Sequence, residues 1–211
     1  MKHQVTRFEV DNAVLEADVD MTPGATGVVL FVHGSGSSRH SGRNQFVARS
    51  LRERGFDTVL MDLLTAKEER VDAVTAHLRF DIELLSRRVI SVIDQVRDES
   101  PLPLGLFGAS TGAAAALVAA AAQPDEVRAV VSRGGRPDLA GQALVKVAAP
   151  TLLIVGGDDR EVIELNQSAM KHIHAEARLE IVPGATHLFE EPGALDRVAA
   201  LAGEWFEQHL V

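Results

Sequence analysis

The sequence predicts an α/β fold with a mostly parallel central sheet, and two observations carry this prediction. Mostly apolar runs at residues 28–32, 58–61, 127–132 and 151–155 are typical of strands that are buried on both faces. Segments with helical spacing separate these runs from residue 28 onward. The alternation puts helices on both faces of the sheet, and a ligand site then lies beyond the carboxyl ends of the strands.

Each remaining element follows from its local pattern. Residues 5–10 and 13–19 predict two strands of an antiparallel hairpin. Apolar spacing predicts a helix over residues 43–54 and a long amphipathic helix within residues 73–96. The other predicted elements are a strand over residues 102–107, a helix over 113–122, a short helix or turn over 138–147, a helix over 160–172, a strand over 178–182 and a closing helix over 193–210.

Composition bounds the class of protein. The chain has 211 residues, of which 46% are hydrophobic, so we expect one compact domain over residues 1–211. A net charge of −9 argues against nucleic acid or an anionic membrane as partners, because both require clustered cations. The absence of cysteine excludes a thiolate nucleophile and a cysteine-ligated metal. The N-terminus lacks the apolar core of a signal peptide, and we expect a cytoplasmic protein.

The most informative motif is Gly-Ala-Ser-Thr-Gly at residues 108–112. It lies between a predicted strand and a predicted helix, which is the context of a nucleophile elbow, G-x-S-x-G. Glycines two residues before and after Ser110 avoid clashes in such a strained turn. The turn places the Ser110 hydroxyl near a helix N-terminus, where a developing negative charge is favoured. Ser110 is therefore the candidate nucleophile.

A base and an acid follow Ser110 in the chain. His187 lies in the loop between the last predicted strand and the last helix, where a neutral imidazole could accept the serine proton. Asp159 follows another strand end and is the preferred partner for His187, with Asp158 as the alternative and Asp138 as a more distant one. The order Ser110, Asp159, His187 is the one expected on α/β-hydrolase scaffolds.

Two backbone amides are candidates for an oxyanion hole. One is the N–H of Thr111, directly after the nucleophile, and the other is the N–H of Ser35, in the glycine-rich loop after the strand at residues 28–32. We expect His33 to fix this loop through hydrogen bonds. The same loop resembles the start of a dinucleotide fingerprint, but Arg39 occupies the third glycine position, so we rank nucleotide binding well below hydrolysis.

Taken together, these motifs resemble the α/β-hydrolase superfamily, and more narrowly its small dienelactone-hydrolase-like group. The resemblance runs from about residue 28 to 210 and rests on His-Gly-Ser-Gly at 33–36, the elbow at 108–112, Gly-Gly-Asp-Asp at 156–159 and Gly-Ala-Thr-His at 184–187. It implies the hydrolase fold, a Ser-His-Asp triad, an ester- or lactone-type acyl substrate and no metal or organic cofactor.

The resemblance has one departure. Dienelactone hydrolases proper use cysteine as the nucleophile, whereas this chain has Ser110, so the dienelactone substrate does not carry over. Members of this group also look like domains found beside phosphoribosyltransferases. This likeness does not identify a substrate. A different class remains open, namely a hydrolase-fold binding or partner domain with a silent site, or an engineered scaffold.

Two further expectations concern the substrate. Residues 133–150 leave no room for a large lid domain, so we expect a small, water-soluble ester or acyl substrate. As a separate expectation, the protein is a monomer or a homodimer. Basic residues near the rim of the predicted site could bind an anionic group on the substrate. We rank this role below ion pairing with acidic residues of the chain. These rim candidates are Arg39, His40, Arg133 and Arg136, with Arg43 beside the first two.

Overall fold

A computed structural model describes residues 2–211 and joins eight strands into one sheet, in the order β1-β2-β4-β3-β5-β6-β7-β8. The strands are β1 (Lys2–Val10), β2 (Ala13–Met21), β3 (Gly27–Val32), β4 (Phe56–Met61), β5 (Leu104–Ala109), β6 (Val127–Arg133), β7 (Thr151–Gly156) and β8 (Ala177–Val182). The helices are α1 (Gly42–Glu53), α2 (Ala66–Thr75), α3 (Ile82–Glu99), α4 (Thr111–Ala122), α5 (Arg160–Met170) and α6 (Ala194–Leu210), with 3₁₀ turns at Leu78–Phe80 and Pro137–Lys146.

The sheet is antiparallel at one end and parallel elsewhere. Strands β1 and β2 form the predicted hairpin, and β2 runs antiparallel to β4. All pairs from β4 through β3, β5, β6 and β7 to β8 are parallel. The predicted fold class, a mostly parallel α/β-hydrolase sheet with an N-terminal hairpin and helices on both faces, is confirmed.

Side chains that alternate along the central strands build a separate core on each face. In β5, Leu106 belongs to the core beneath α3, α4 and α5, whereas Phe107 belongs to the core beneath α1 and α6. Helix α4 consists largely of buried alanines, and their small side chains let it lie close to the sheet. The elbow between β5 and α4 is therefore held on two well-packed layers.

The structure corrects the long helix predicted within residues 73–96. Helix α2 ends at Thr75, because the next residue, Ala76, adopts a left-handed conformation with φ 53°. Helix α3 begins only after Asp81, whose side chain accepts from the N–H of Leu84. The apolar spacing is present in α3, but periodicity alone does not reveal the break before it. Residues 65–81, which contain α2 and the first 3₁₀ turn, will be called the 65–81 segment.

The connection between β6 and β7 is short, as predicted. It consists mainly of a 3₁₀ stretch, Pro137–Lys146, which is kinked at Gly141 (φ 52°), and it contributes no lid domain. Within residues 2–211, the helices are too short or too polar to cross a bilayer.

Candidate active site

Ser110 lies at the tight turn between β5 and α4. Its backbone has φ 50° and ψ −123°, a conformation that costs a non-glycine residue on the order of 1–3 kcal/mol. Neighbouring backbone holds it there: its N–H donates to the Arg133 carbonyl (3.2 Å), and its carbonyl accepts from the N–H groups of Ala113 and Arg136 (3.1 Å each). The surroundings thus enforce a strained serine at the carboxyl edge of the sheet.

The loop after β3 packs directly against this turn. A Cβ atom at Gly34 would lie 2.9 Å from Ser110 Cβ, and one at Gly112 would lie 2.2 Å from the carbonyl oxygen of His33. Neither position has room for a side chain, because backbone occupies the space. The glycine at each position therefore allows the two predicted oxyanion segments to approach each other.

His187 is paired with Asp159. Nδ1 of the imidazole lies 2.6 Å from Oδ2 of Asp159, which is half-buried and precedes α5 without capping it through its side chain. Asp158 is exposed. Its backbone N–H donates a hydrogen bond to the carbonyl of Ala185 at 3.0 Å, and no hydrogen bond of its side chain is recorded. Of the three candidate aspartates, the structure brings Asp159 to His187, while Asp138 pairs with Arg136 at 2.8 Å.

The imidazole lies close to the elbow. A Cβ atom at Gly134 would lie 3.6 Å from His187 Cε1, and Gly134 directly follows Arg133, whose carbonyl binds the Ser110 N–H. Because Nδ1 faces Asp159, Nε2 remains the nitrogen that could accept a proton from serine. The structure records no hydrogen bond between the described side chains of Ser110 and His187.

Both predicted oxyanion amides lie at the elbow. Thr111 begins α4, so its N–H has no partner within the helix. The N–H of Ser35 donates to Oγ1 of Thr111 at 3.0 Å. The Ser35 amide is therefore aimed at the first residue of α4, and the Thr111 hydroxyl accepts its hydrogen bond.

His33 is a structural residue of the glycine-rich loop. Its Nε2 accepts from the N–H of Leu63 at 3.0 Å, so the ring proton lies on Nδ1 and is donated to the Gly34 carbonyl at 2.9 Å. Burial lowers the pKa of His33. The neutral ring links the ends of β3 and β4.

Most of the predicted rim cations are already paired. Arg39 binds Asp62 and Glu16 (2.8 Å to Glu16), and Arg136 binds Asp138. His40 is two-thirds exposed and lies 3.9 Å from Asp18. Arg133 differs, because it is buried and no carboxylate of residues 2–211 lies within ion-pair distance of it.

A cavity of about 450 Å³ opens beside Ser35 and Thr111. The loop after β3 forms one wall and the 65–81 segment contributes to the other. The sequence analysis missed this wall, although Thr65 and Glu68 form a capping box, a pattern visible in the sequence. The apolar residues that line the cavity are Leu63, Leu64, Ala73 and Leu85. The ionisable residues that line it are His33, His40, Glu69, Asp72 and Arg79.

The described residues of the site include the groups that acyl transfer through a serine nucleophile would use. Among residues 2–211, no group of three or more histidine, aspartate or glutamate side chains is arranged to hold a metal ion. A strained serine, a carboxylate-bound imidazole and helix-end amides together could form and stabilise a tetrahedral oxyanion.

Comparisons with known proteins identify the family and the fold. The family model described as serine aminopeptidase, S33, matches residues 23–136. A crystal structure of dienelactone hydrolase from Anabaena variabilis is 52% identical, with a TM-score of 0.96 over 100% of this chain and 99% of that chain. Est1E from Butyrivibrio proteoclasticus is 17% identical, with a TM-score of 0.80 over 97% of this chain and 98% of its own, and supports the fold alone.

Two curated relatives come from Mycobacterium tuberculosis, strains CDC 1551 and H37Rv, and carry a provisional phosphoribosyl transferase name. Each is 60% identical over 187 residues, which is 87% of this chain. The chain spans only 41% of the length of these relatives. The similarity therefore concerns one part of a longer protein.

Proposed function

Because the chain belongs to the serine aminopeptidase S33 family of α/β-hydrolases, we propose that it hydrolyses small ester, lactone or related acyl substrates through an acyl-enzyme intermediate. The observation that carries the proposal is the 2.6 Å contact between His187 and Asp159 beside a strained Ser110. A purely structural turn would gain nothing from holding serine at positive φ next to an oriented imidazole.

In the proposed reaction, Ser110 Oγ attacks the substrate carbonyl carbon while His187 Nε2 takes the serine proton. Asp159 holds the imidazole through Nδ1 and stabilises the imidazolium that forms. The carbonyl carbon–oxygen bond to the alcohol then breaks, and His187 returns the proton to the leaving oxygen. Water, deprotonated by His187, releases the acid and regenerates Ser110.

The developing oxyanion would be bound by the N–H groups of Thr111 and Ser35. The Thr111 amide needs no rearrangement, because it lies at the unpaired N-terminus of α4. The Ser35 N–H donates to the Thr111 hydroxyl, so it must either transfer this hydrogen bond to the substrate oxygen or donate to both oxygens at once. That exchange costs little, because one hydrogen bond replaces another.

Substrate size follows from the cavity beside Thr111. A volume of about 450 Å³ with a few leucine side chains suits a short acyl or alcohol group and not a long lipid chain. The short β6–β7 connection adds no cover over the site. We therefore place the substrate among small esters, with thioesters and amides as further groups that use the same chemistry.

The test is intact-mass spectrometry after exposure to a fluorophosphonate probe. Displacement of fluoride by Ser110 would add one phosphonyl group to the wild type, and Ser110→Ala would take up none. Ser50→Ala, a serine two turns into α1, is the matched control and should label like the wild type. Labelling of Ser110→Ala, or an unimpaired ester hydrolysis by that variant, would contradict the mechanism.

A second candidate is a binding or partner domain with a silent site. Two observations favour it: Ser110 makes no hydrogen bond to His187, and the Thr111 hydroxyl occupies the Ser35 amide. The partial coverage of the longer relatives is compatible with such a domain role. Absence of any adduct on folded wild-type protein would favour this candidate over the hydrolase.

A further inference from the structure

Arg39 follows the glycine-rich loop between β3 and α1, and its guanidinium lies among carboxylates. It binds Asp62, its Nη2 lies 2.8 Å from Glu16, and its Nε lies 3.4 Å from Asp18. The side chain is only 15% exposed. The backbone N–H of Arg39 also donates to Oδ1 of Asp62, at 2.7 Å. Both the main chain and the side chain of this residue are therefore bound to Asp62, at the end of β4.

The other end of the same loop is bound to the residue next to Asp62. Nε2 of His33 accepts from the N–H of Leu63 at 3.0 Å, and the His33 ring donates to the Gly34 carbonyl at 2.9 Å. Asp62 and Leu63 directly follow β4. Residues 34–38, which we call the oxyanion loop, are therefore held at both ends by adjacent residues at the carboxyl end of one strand.

Polar contacts rather than apolar packing hold the oxyanion loop. None of residues 35–38 is buried, so no side chain of this stretch is anchored in a core. Gly36 adopts a positive φ of 67°, and the N–H of Ser37 donates to the Gly34 carbonyl at 3.2 Å, which closes a tight turn. The position of the turn as a whole therefore depends on the contacts at its two ends.

The group that this loop carries is the N–H of Ser35. It donates to Oγ1 of Thr111 at 3.0 Å, at the start of α4. On the same side, a Cβ atom at Gly34 would lie 2.9 Å from Ser110 Cβ, so the oxyanion loop is in contact with the elbow. A displacement of the loop relative to β4 would move the Ser35 amide relative to Ser110. Displacements of about 1 Å in a catalytic site can lower the rate about 10²-fold.

The charges around Arg39 make it the shared cation of three carboxylates. The exposed Arg7 lies 3.7 Å from Glu16, and His40, which is two-thirds exposed, lies 3.9 Å from Asp18. These longer contacts at exposed side chains contribute little. A guanidinium can donate in several fixed directions at once, whereas a lysine ammonium is a single point charge on a flexible stem. Arg39 therefore fixes the direction of the chain as well as neutralising charge.

We propose that Arg39 is a positioning residue: through Asp62 it holds the oxyanion loop so that the Ser35 N–H points at the carbonyl oxygen of the substrate. The proposal rests on the hydrolase function proposed above, and it assigns to Arg39 no contact with substrate or nucleophile. An oxyanion donor binds the transition state more strongly than the ground state. Loss of Arg39 should therefore lower kcat and leave KM nearly unchanged.

The test measures kcat and KM of Arg39→Gln with p-nitrophenyl acetate. We expect kcat to fall about 10- to 100-fold, which is less than the complete loss of an oxyanion donor costs, and KM to stay within about twofold. Arg52→Gln is the matched control. The Arg52 side chain is 12% exposed and binds Asp20 of β2 at 3.2 Å, but it lies near the C-terminal end of α1. This control should lose stability and keep the wild-type kcat.

Two more variants separate positioning from a general loss of stability. Arg39→Lys keeps a cation beside Asp62 and should recover part of the kcat lost in Arg39→Gln. Asp62→Asn weakens the same contact from the other side, should also lower kcat without changing KM, and serves if Arg39→Gln does not fold. The losses in the double variant should not add, because both substitutions break one contact. A wild-type kcat in Arg39→Gln, or a loss that appears in KM, would overturn the proposal.

Hydrogen–deuterium exchange reports on the oxyanion loop independently of activity. Peptides that cover residues 34–38 should exchange faster in Arg39→Gln than in the wild type, because one end of the loop is released. The same peptides should exchange at the wild-type rate in Arg52→Gln. A lower kcat in Arg39→Gln with unchanged exchange of these peptides would show that Arg39 does not act by holding the loop.

The failure of this proposal and the failure of the hydrolase function have different signatures. Fluorophosphonate labelling of Ser110 at the same rate in wild type and Arg39→Gln leaves the hydrolase function intact and rejects the positioning role. No labelling of folded wild type rejects the hydrolase function. It also rejects the oxyanion role of Arg39, even where the exchange measurement shows that Arg39 holds the loop.

Discussion

Oδ2 of Asp159 lies 2.6 Å from Nδ1 of His187, although Asp159 also stands at the position that would cap α5. Its side chain makes no capping bond and is committed to the imidazole. The neighbouring Asp158 is exposed, with its backbone tied to Ala185 at 3.0 Å. Two adjacent aspartates therefore have different environments, and this difference can be tested.

Replacing Asp159 by asparagine should lower kcat by about 10³- to 10⁴-fold, because the amide no longer stabilises the imidazolium or holds the required tautomer. Asp158→Asn is the matched control and should stay within about twofold of the wild type, because its exposed carboxylate forms no recorded hydrogen bond or ion pair with the described residues. Steady-state hydrolysis of p-nitrophenyl acetate measures both. A comparable loss in the two variants would contradict the assignment of Asp159 to His187.

The hydrogen bond from Ser35 N–H to Thr111 Oγ1 leads to a second prediction. Thr111→Val removes the acceptor that holds the Ser35 amide at the elbow, and we expect kcat to fall about tenfold. Thr111→Ser retains an oxygen at this position and should keep most of the activity. Single-turnover kinetics with a small ester would measure the acylation step. A higher kcat for Thr111→Val would instead mean that the hydroxyl competes with the substrate oxygen for the amide.

His33 provides a prediction about the pH dependence of stability. Burial lowers its pKa in the folded protein, so below about pH 6.5 the unfolded chain binds a proton that the native chain does not. Stability is then lost as the pH falls from about 6.5 toward the lower folded-state pKa. The loss amounts to at most about 1.4 kcal/mol between pH 7.5 and 5.5.

Urea unfolding of wild type and His33→Asn at pH 7.5 and 5.5 would measure this contribution. The variant should be less stable at pH 7.5, because the N–H of Leu63 loses its imidazole acceptor. It should also lose less stability than the wild type on going to pH 5.5. An identical pH dependence in the two proteins would show that His33 does not contribute to it.

Local chemistry explains which parts of the fold could be predicted. The apolar runs of β3 and β5 are short and continuous, and the turn from β5 into α4 requires glycine around a strained serine. The break between α2 and α3 was missed because Leu78 continues the apolar spacing of α3 while lying in a separate 3₁₀ turn. The break shows in the left-handed Ala76, in the Asp72 side chain, which accepts from the N–H of Leu78, and in the Asp81 side chain, which caps α3.

Strand burial and turn geometry depend on neighbouring residues, so the strand–helix alternation, the elbow at Ser110 and the chain order of Ser110, Asp159 and His187 could be predicted from the sequence. Which aspartate meets His187 could not be fixed in this way, nor could the fact that, within residues 2–211, Arg39 has a carboxylate partner and Arg133 has none. Those outcomes depend on how segments distant in the chain pack together. Only that packing sets the distances and the burial on which charge pairing depends.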